Sequence, residues 1–152
     1  MPAVLTKYFG SLEYHQSEVV RFPSGLPAFE EELEFLVIEP AAKAPLAFLQ
    51  SMRQPNLCFL ALPVLAIDPG YSLAVAIEDL EALQLETSRQ PVIGAEIDCW
   101  TVIAPPHDGL LTANLLAPIV INRENRRGVQ AIRLDSTYSH QHPVAKVEDV
   151  CS

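Results

Sequence analysis

Asn114-Leu115-Leu116-Ala117-Pro118-Ile119-Val120-Ile121-Asn122 runs into Arg123-Glu124-Asn125-Arg126-Arg127-Gly128, and then into Val129-Gln130-Ala131-Ile132-Arg133-Leu134. Two apolar segments rich in branched residues flank a polar turn, which is the pattern of a β-hairpin. Gly128 stands where the turn can use a positive φ. If residues 115–121 are a strand, Leu116, Pro118 and Val120 share one face, and Leu115, Ala117, Ile119 and Ile121 share the other. Both faces are apolar. One is core, and the other is either core as well or a surface that receives a partner. A charge at Val120 separates the two: it weakens binding if the side chain is exposed and unfolds the protein if it is core. Pro118 cannot donate to a ladder, which favours an edge or a bulge. Asn114 and Asn122, at the two ends, carry amides able to bond an incoming backbone.

Working outward, residues 93–104 alternate. Ile97, Cys99 and Thr101 lie on one side and Glu96, Asp98 and Trp100 on the other, which predicts a strand with one wet face. Residues 8–14 read as a first hairpin turning at Gly10 and Ser11. Residues 18–22, 35–38, 46–52, 57–62 and 71–77 read as further strands. Pro23-Ser24-Gly25-Leu26-Pro27 is a rigid turn, because two prolines fix φ and Gly25 can adopt a positive one. Residues 29–33 predict one helical turn with Glu30, Glu31 and Glu32 near its start. Residues 77–85 predict a helix. Leu80 and Leu83 face inward with either Ile77 or Leu85, while Glu78, Asp79, Glu81 and Glu86 face water. Thirteen prolines spread along the chain keep every element short. The expected fold is mostly β: a single antiparallel sheet, strongly bent or closed like a barrel, with one or two short helices. One domain over residues 1–144 is expected, with 145–152 as a flexible tail.

Composition narrows the function. Ten Lys+Arg against nineteen Asp+Glu give a formal net charge of −9 over 152 residues. Such a chain repels nucleic acid at long range and attracts basic partners. Arg123, Arg126 and Arg127 cluster on one turn and read as solvated turn charges rather than a phosphate surface. The acidic groups at 30–34 and 78–81 are either wet faces or a docking surface for a basic partner. No apolar run approaches the length of a membrane span, and the first residues carry no secretory pattern, so a cytoplasmic location is expected.

Little in the sequence points to catalysis. It contains neither a G-x-S-x-G elbow nor a glycine-rich phosphate loop. Cys58, Cys99 and Cys151 are an odd set without C-x-x-C spacing. Cys58 and Cys99 sit in apolar runs and read as buried, inert thiols. His140-Gln141-His142, with Asp135 nearby, falls short of the ligands a metal site needs. The expectation is a non-enzymatic protein with no metal and no cofactor. A small ligand-binding or enzymatic barrel, or an adaptor for another secreted protein, is the alternative; a deep pocket with convergent polar groups would favour the barrel.

The opening stretch, Asn114 to Asn122 followed by Arg127-Gly128-x-Gln130, resembles the signature of the FliW family of flagellar assembly factors. Other segments are similar in order: Thr6-Lys7-Tyr8-Phe9-Gly10, then Phe22-Pro23-x-Gly25-Leu26-Pro27-x-Phe29-Glu30, then Leu49-Gln50-Ser51 with Pro55-x-Leu57-x-Phe59, and last Asp135-x-x-Tyr138-Ser139-x-x-His142-Pro143. Ala28 stands where the family usually has glycine, and Leu62-Pro63 replaces a common acidic-Pro pair. The resemblance implies a cytoplasmic regulator with two partners: flagellin before export, and CsrA, a basic RNA-binding repressor of flagellin synthesis. It also implies a free protein that is monomeric and touches neither RNA nor membrane. The residues expected to meet partners are Asn114, Leu116, Pro118, Val120 and Asn122 on the hairpin, with Glu78, Asp79 and Glu81 on the short helix.

Overall fold

Local pairing builds the molecule from hairpins. The computed structural model describes residues 2–107, 110–133 and 138–144. The 145–152 tail with Cys151, the end of the second hairpin arm at Leu134, and Asp135 lie outside them. In chain order come β1 Ala3–Thr6, β2 Gly10–Glu13, β3 Val19–Arg21, β4 Glu34–Ile38, β5 Ala47–Ser51, β6 Cys58–Pro63, α1 Val64–Ile67, α2 Ile77–Ala82, β7 Ile97–His107, β8 Leu110–Ala113, β9 Ile119–Asn122, β10 Gly128–Gln130 and β11 His142–Val144. The fold is mostly β with two short helices, as the sequence predicts. All strand pairs are antiparallel.

There are two sheets rather than one. β1 and β2 form their own ribbon, and the main sheet runs β10-β9-β7-β6-β5-β4-β3, with β8 and β11 branching from β7. The ribbon separates because it lies across the outer face of β3 and β4, where Val4, Val19 and Leu36 pack with Leu12 and Tyr14. Its turn is Lys7-Tyr8-Phe9 rather than Gly10–Ser11, and Gly10, at φ +67, opens β2. The main sheet bends until its ends approach. They touch at one parallel bridge, Arg21 to Arg127, where the Arg21 N–H donates to the Arg126 carbonyl at 3.0 Å. The sheet is bent, not closed.

Bending makes an inside and an outside, and both are apolar. Inside lie Val20, Phe22, Phe35, Leu49, Trp100, Ile119 and Ile121. Outside, under α2 and the segment before it, lie Tyr71, Val75, Leu80, Leu83, Ile97, Cys99, Leu115 and Val120. Trp100 therefore belongs to the inner core, not to a wet face; only Asp98 on that side reaches the rim, with Arg123 at 3.8 Å and Arg126 at 4.0 Å. Ile97 starts the strand; Ile93 makes a single bridge to it and residues 94–96 are turn. On α2 the inward set is Leu80, Leu83 and Leu85, while Ile77 is exposed.

Two expected elements are absent for identifiable reasons. Residues 71–76 are extended but join no ladder. Side chains take the place of a neighbouring strand at Val75 and Ser72: Gln90 accepts from the Val75 N–H at 2.7 Å and donates to its carbonyl at 3.1 Å, and the Tyr138 hydroxyl accepts from Ser72 N–H at 2.9 Å. Residues 29–33 form successive turns instead of a helix. The Leu33 carbonyl must accept from Phe22 N–H at 2.7 Å, and the Glu32 side chain is drawn inward.

The 23–30 loop and the 123–127 turn set the ends of the sheet. Gly25 has φ +67, and a Cβ there would sit 2.5 Å from the Glu30 carbonyl oxygen. Ala28 holds the left-handed conformation that glycine usually supplies, at φ +71. In the second turn the positive φ, +59, falls on Arg126 and not on Gly128. Gly128 is required for a different reason: a Cβ would lie 2.7 Å from the Phe22 ring and 2.9 Å from a Val20 methyl. Gly128→Ala is expected to destabilise by about 1–3 kcal/mol through overpacking, measured by urea unfolding.

Candidate functional site

The signature hairpin is buried on both sides. Ile119 and Val120 are wholly buried, and Ile121 is 1% exposed. Its first arm is not one strand. Trp100 faces Ile119 while Ile103 faces Ala113, so three steps along β7 match six along the other chain. The excess is a bulge at residues 114–118, interrupting an otherwise straight run from β8 to β9. Pro118 marks it, as a strand proline should.

Bonds within the chain tie the bulge down. The Leu116 N–H donates to Asn114 Oδ1 at 3.1 Å, a local Asx turn. The Tyr71 hydroxyl donates to the Leu115 carbonyl at 2.7 Å, and Gln130 Nε2 to the Ala117 carbonyl at 3.0 Å. Burial raises the Tyr71 pKa, against the opposing effect of Arg133, whose guanidinium lies 5.8 Å from its ring. Asn122 is 4% exposed; its amide donates to the Leu83 carbonyl at 2.9 Å and its Oδ1 accepts from Glu124 N–H at 2.9 Å. The two asparagines thus anchor their own chain. Pro118, Val120 and Asn122 are buried, and only Asn114 and Leu116 of the hairpin set keep surface.

The acidic residues are distributed differently. Glu78 and Glu81 are exposed on α2, and Asp79 is half-buried. Burial, then the charge of Glu78, raises the Asp79 pKa. Asp79 lines a groove of about 320 Å³ with Glu30, where the loop residues Pro23, Ser24, Gly25 and Pro27 meet Ala82 of α2 and Gly128, Val129 and Gln130 of β10. The two predicted acidic segments therefore meet where the two ends of the sheet part. Sequence reading placed neither segment next to the hairpin.

Glu32 does not belong to that surface. It is 3% exposed. Its carboxylate accepts from Ser51 Oγ at 2.8 Å, from Arg53 Nη2 at 2.7 Å and from Gln54 Nε2. Burial alone would raise its pKa, but the three donors and the Arg53 charge hold it below the usual value. Arg123, Arg126 and Arg127 are likewise not free turn charges: the first two face Asp98, and Arg127 Nη1 lies 3.4 Å from the Ala82 carbonyl. Burial pushes the Cys58 thiol to about 11 and the Cys99 thiol to about 12, with Asp98 adding to the latter. Neither is a thiolate at neutral pH. Among the described residues no group of three His, Cys, Asp or Glu is disposed to hold a metal, and no helix is long and apolar enough to cross a membrane.

A bent antiparallel sheet, apolar on both sides and parted at its ends by a groove that Glu30 and Asp79 line, defines the class of this β domain. The model of the FliW protein family matches residues 3–144. The chain belongs to the FliW family. It is 32% identical to the flagellar assembly factor FliW of Syntrophomonas wolfei, over 93% of this chain and 87% of the relative. It is 37% identical to the flagellar assembly factor FliW of Geobacillus kaustophilus, over 91% and 92% of the two chains. A crystal structure of the flagellar assembly factor FliW superposes with a TM-score of 0.79 at 31% identity, covering 93% of this chain and 96% of that one.

Proposed function

We propose that this protein is a cytoplasmic, non-enzymatic flagellar assembly factor, a monomer when free, folded as one domain over residues 1–144. It holds flagellin before export. Once flagellin leaves, it binds CsrA and relieves repression of flagellin synthesis. Family membership supports the flagellar role. The observation that carries the CsrA reading is the acidic face: Glu78 and Glu81 exposed on α2, with Asp79 and Glu30 in the adjoining groove, on a chain of net charge −9. A repressor that holds RNA phosphates is basic and is attracted to such a face; once bound there, it presents like charge to RNA. Of the hairpin set, Asn114 and Leu116 keep surface and would add to either contact.

Exposed charge pairs contribute about 1 kcal/mol each at contact in water, so several together change RNA affinity by about tenfold. Stopped-flow association with CsrA should slow as salt rises from about 0.05 to about 0.5 M, because the Debye length shortens. Glu78→Lys with Glu81→Lys should slow it at low salt. A flat salt profile, with the reversed variant as fast as the parent, ends the electrostatic account. For flagellin, equimolar purified proteins should co-elute on size exclusion, and separate migration at micromolar concentration rejects the complex.

A further inference from the structure

Backbone geometry gives the groove a second character besides its charge. The β9–β10 ladder bonds Asn122 N–H to the Arg127 carbonyl at 2.8 Å and Ala131 N–H to the Pro118 carbonyl at 2.8 Å. Val129 faces Val120 midway between them. Antiparallel pairs alternate, so residues 127, 129 and 131 turn their polar backbone groups toward β9, whereas Gly128 and Gln130 turn theirs away from it. The parallel bridge to Arg21 occupies the start of that outer edge. Beyond it the other end of the sheet departs, because Phe22 N–H is bonded to Leu33 and Pro23 carries no N–H. From there onward the β10 edge, with the Gln130 N–H and C=O, faces the groove rather than a strand. The opposite wall is Ser24 and Gly25, and Glu30 and Asp79 stand in the same groove. The Asp79 carboxylate has no hydrogen-bond or ion-pair partner among the described residues.

We propose that this seam is a strand-addition slot: an extended peptide segment pairs with the Gln130 backbone, and a lysine or arginine on it reaches Glu30 and Asp79. An open sheet edge supplies main-chain bonds, and the flanking side chains select the sequence. The carboxylates fix the sign of that choice as basic. A half-buried carboxylate without a cation is unfavourable, and an incoming ammonium or guanidinium corrects it. The slot is independent of which partner carries the segment.

The probe is a blocked heptapeptide of alternating valine and lysine, titrated into the ¹⁵N-labelled full chain. Saturable amide shifts should centre on Gln130, Ser24 and Gly25. The valine–glutamate analogue should produce none. Glu30→Gln with Asp79→Asn should weaken binding about tenfold, the scale of one lost ion pair with its hydrogen bond. Gln130→Pro removes an N–H that serves no internal ladder and should abolish binding, whereas Gln130→Thr, which keeps the N–H, should preserve it. Should the proline variant fail to fold, the peptide N-methylated along alternate residues tests the same bonds from the other strand and should not bind. Shifts outside the seam, equal binding of the glutamate peptide, or full binding by the proline variant or the N-methylated peptide overturns the proposal.

Discussion

Val120→Asp is expected to leave the protein unfolded at 25 °C. Val120 is wholly buried among Leu80, Leu83, Ile97 and Cys99, on the face of β9 that α2 covers. A carboxylate there has no cation within the apolar cluster, and burying an unpaired charge costs several kcal/mol even after it takes up a proton. Loss of the valine packing adds roughly 2 kcal/mol. The whole stability of such a domain is about 5–15 kcal/mol. Far-ultraviolet circular dichroism and amide dispersion read the outcome. Val120→Ala is the control: it should fold, with stability lowered by roughly 2 kcal/mol. A folded Val120→Asp with native dispersion would mean that this face opens to solvent, and would restore the reading of β9 as a partner surface.

The burial of Val120 has a physical reason that the sequence does not display. A strand apolar on both faces is the same string whether its second face meets a helix or a partner, and only the tertiary position of α2 decides. Strands 19–21, 34–38, 47–51 and 58–63 were legible because each alternates or runs apolar between turn residues. The bulge at 114–118 was half legible: Pro118 signalled it, but the three-residue slip depends on β7 opposite. Trp100 looked wet because Asp98 beside it is polar, yet Asp98 sits at the rim with two arginines while Trp100 faces the interior. The seam was not legible, since it joins Ser24 and Gly25 to Gln130 across a sheet whose bend no local pattern records. Glu32 was hidden in a run of like residues. Its neighbours are solvated, and the partners that bury it, Ser51 and Gln54, lie on another hairpin.

Glu32→Gln should lower stability at neutral pH by about 2–3 kcal/mol, because it takes a charge-assisted acceptor from three donors at once. Ser51 Oγ stands at the centre of the loss. It donates to Glu32 and accepts from the Arg53 and Gln54 N–H groups at 3.2 and 3.0 Å, so the carboxylate fixes the hydroxyl that shapes the turn between β5 and β6. The sign of the pH effect follows from the lowered pKa. The folded state binds the Glu32 proton more weakly than the unfolded chain does. Its contribution is therefore complete above the ordinary glutamate range and is lost as pH falls through the lower folded value. Urea unfolding across a series of acidic pH values should show the parent losing stability faster than Glu32→Gln, so that the two converge. Glu96 titrates alongside: its pKa is held at about 2 by Arg89 and then by the Val92 N–H, and it remains in both proteins. Parallel pH profiles for parent and variant would assign the acid loss to Glu96 and the other carboxylates, and would leave Glu32 a neutral spacer in the turn.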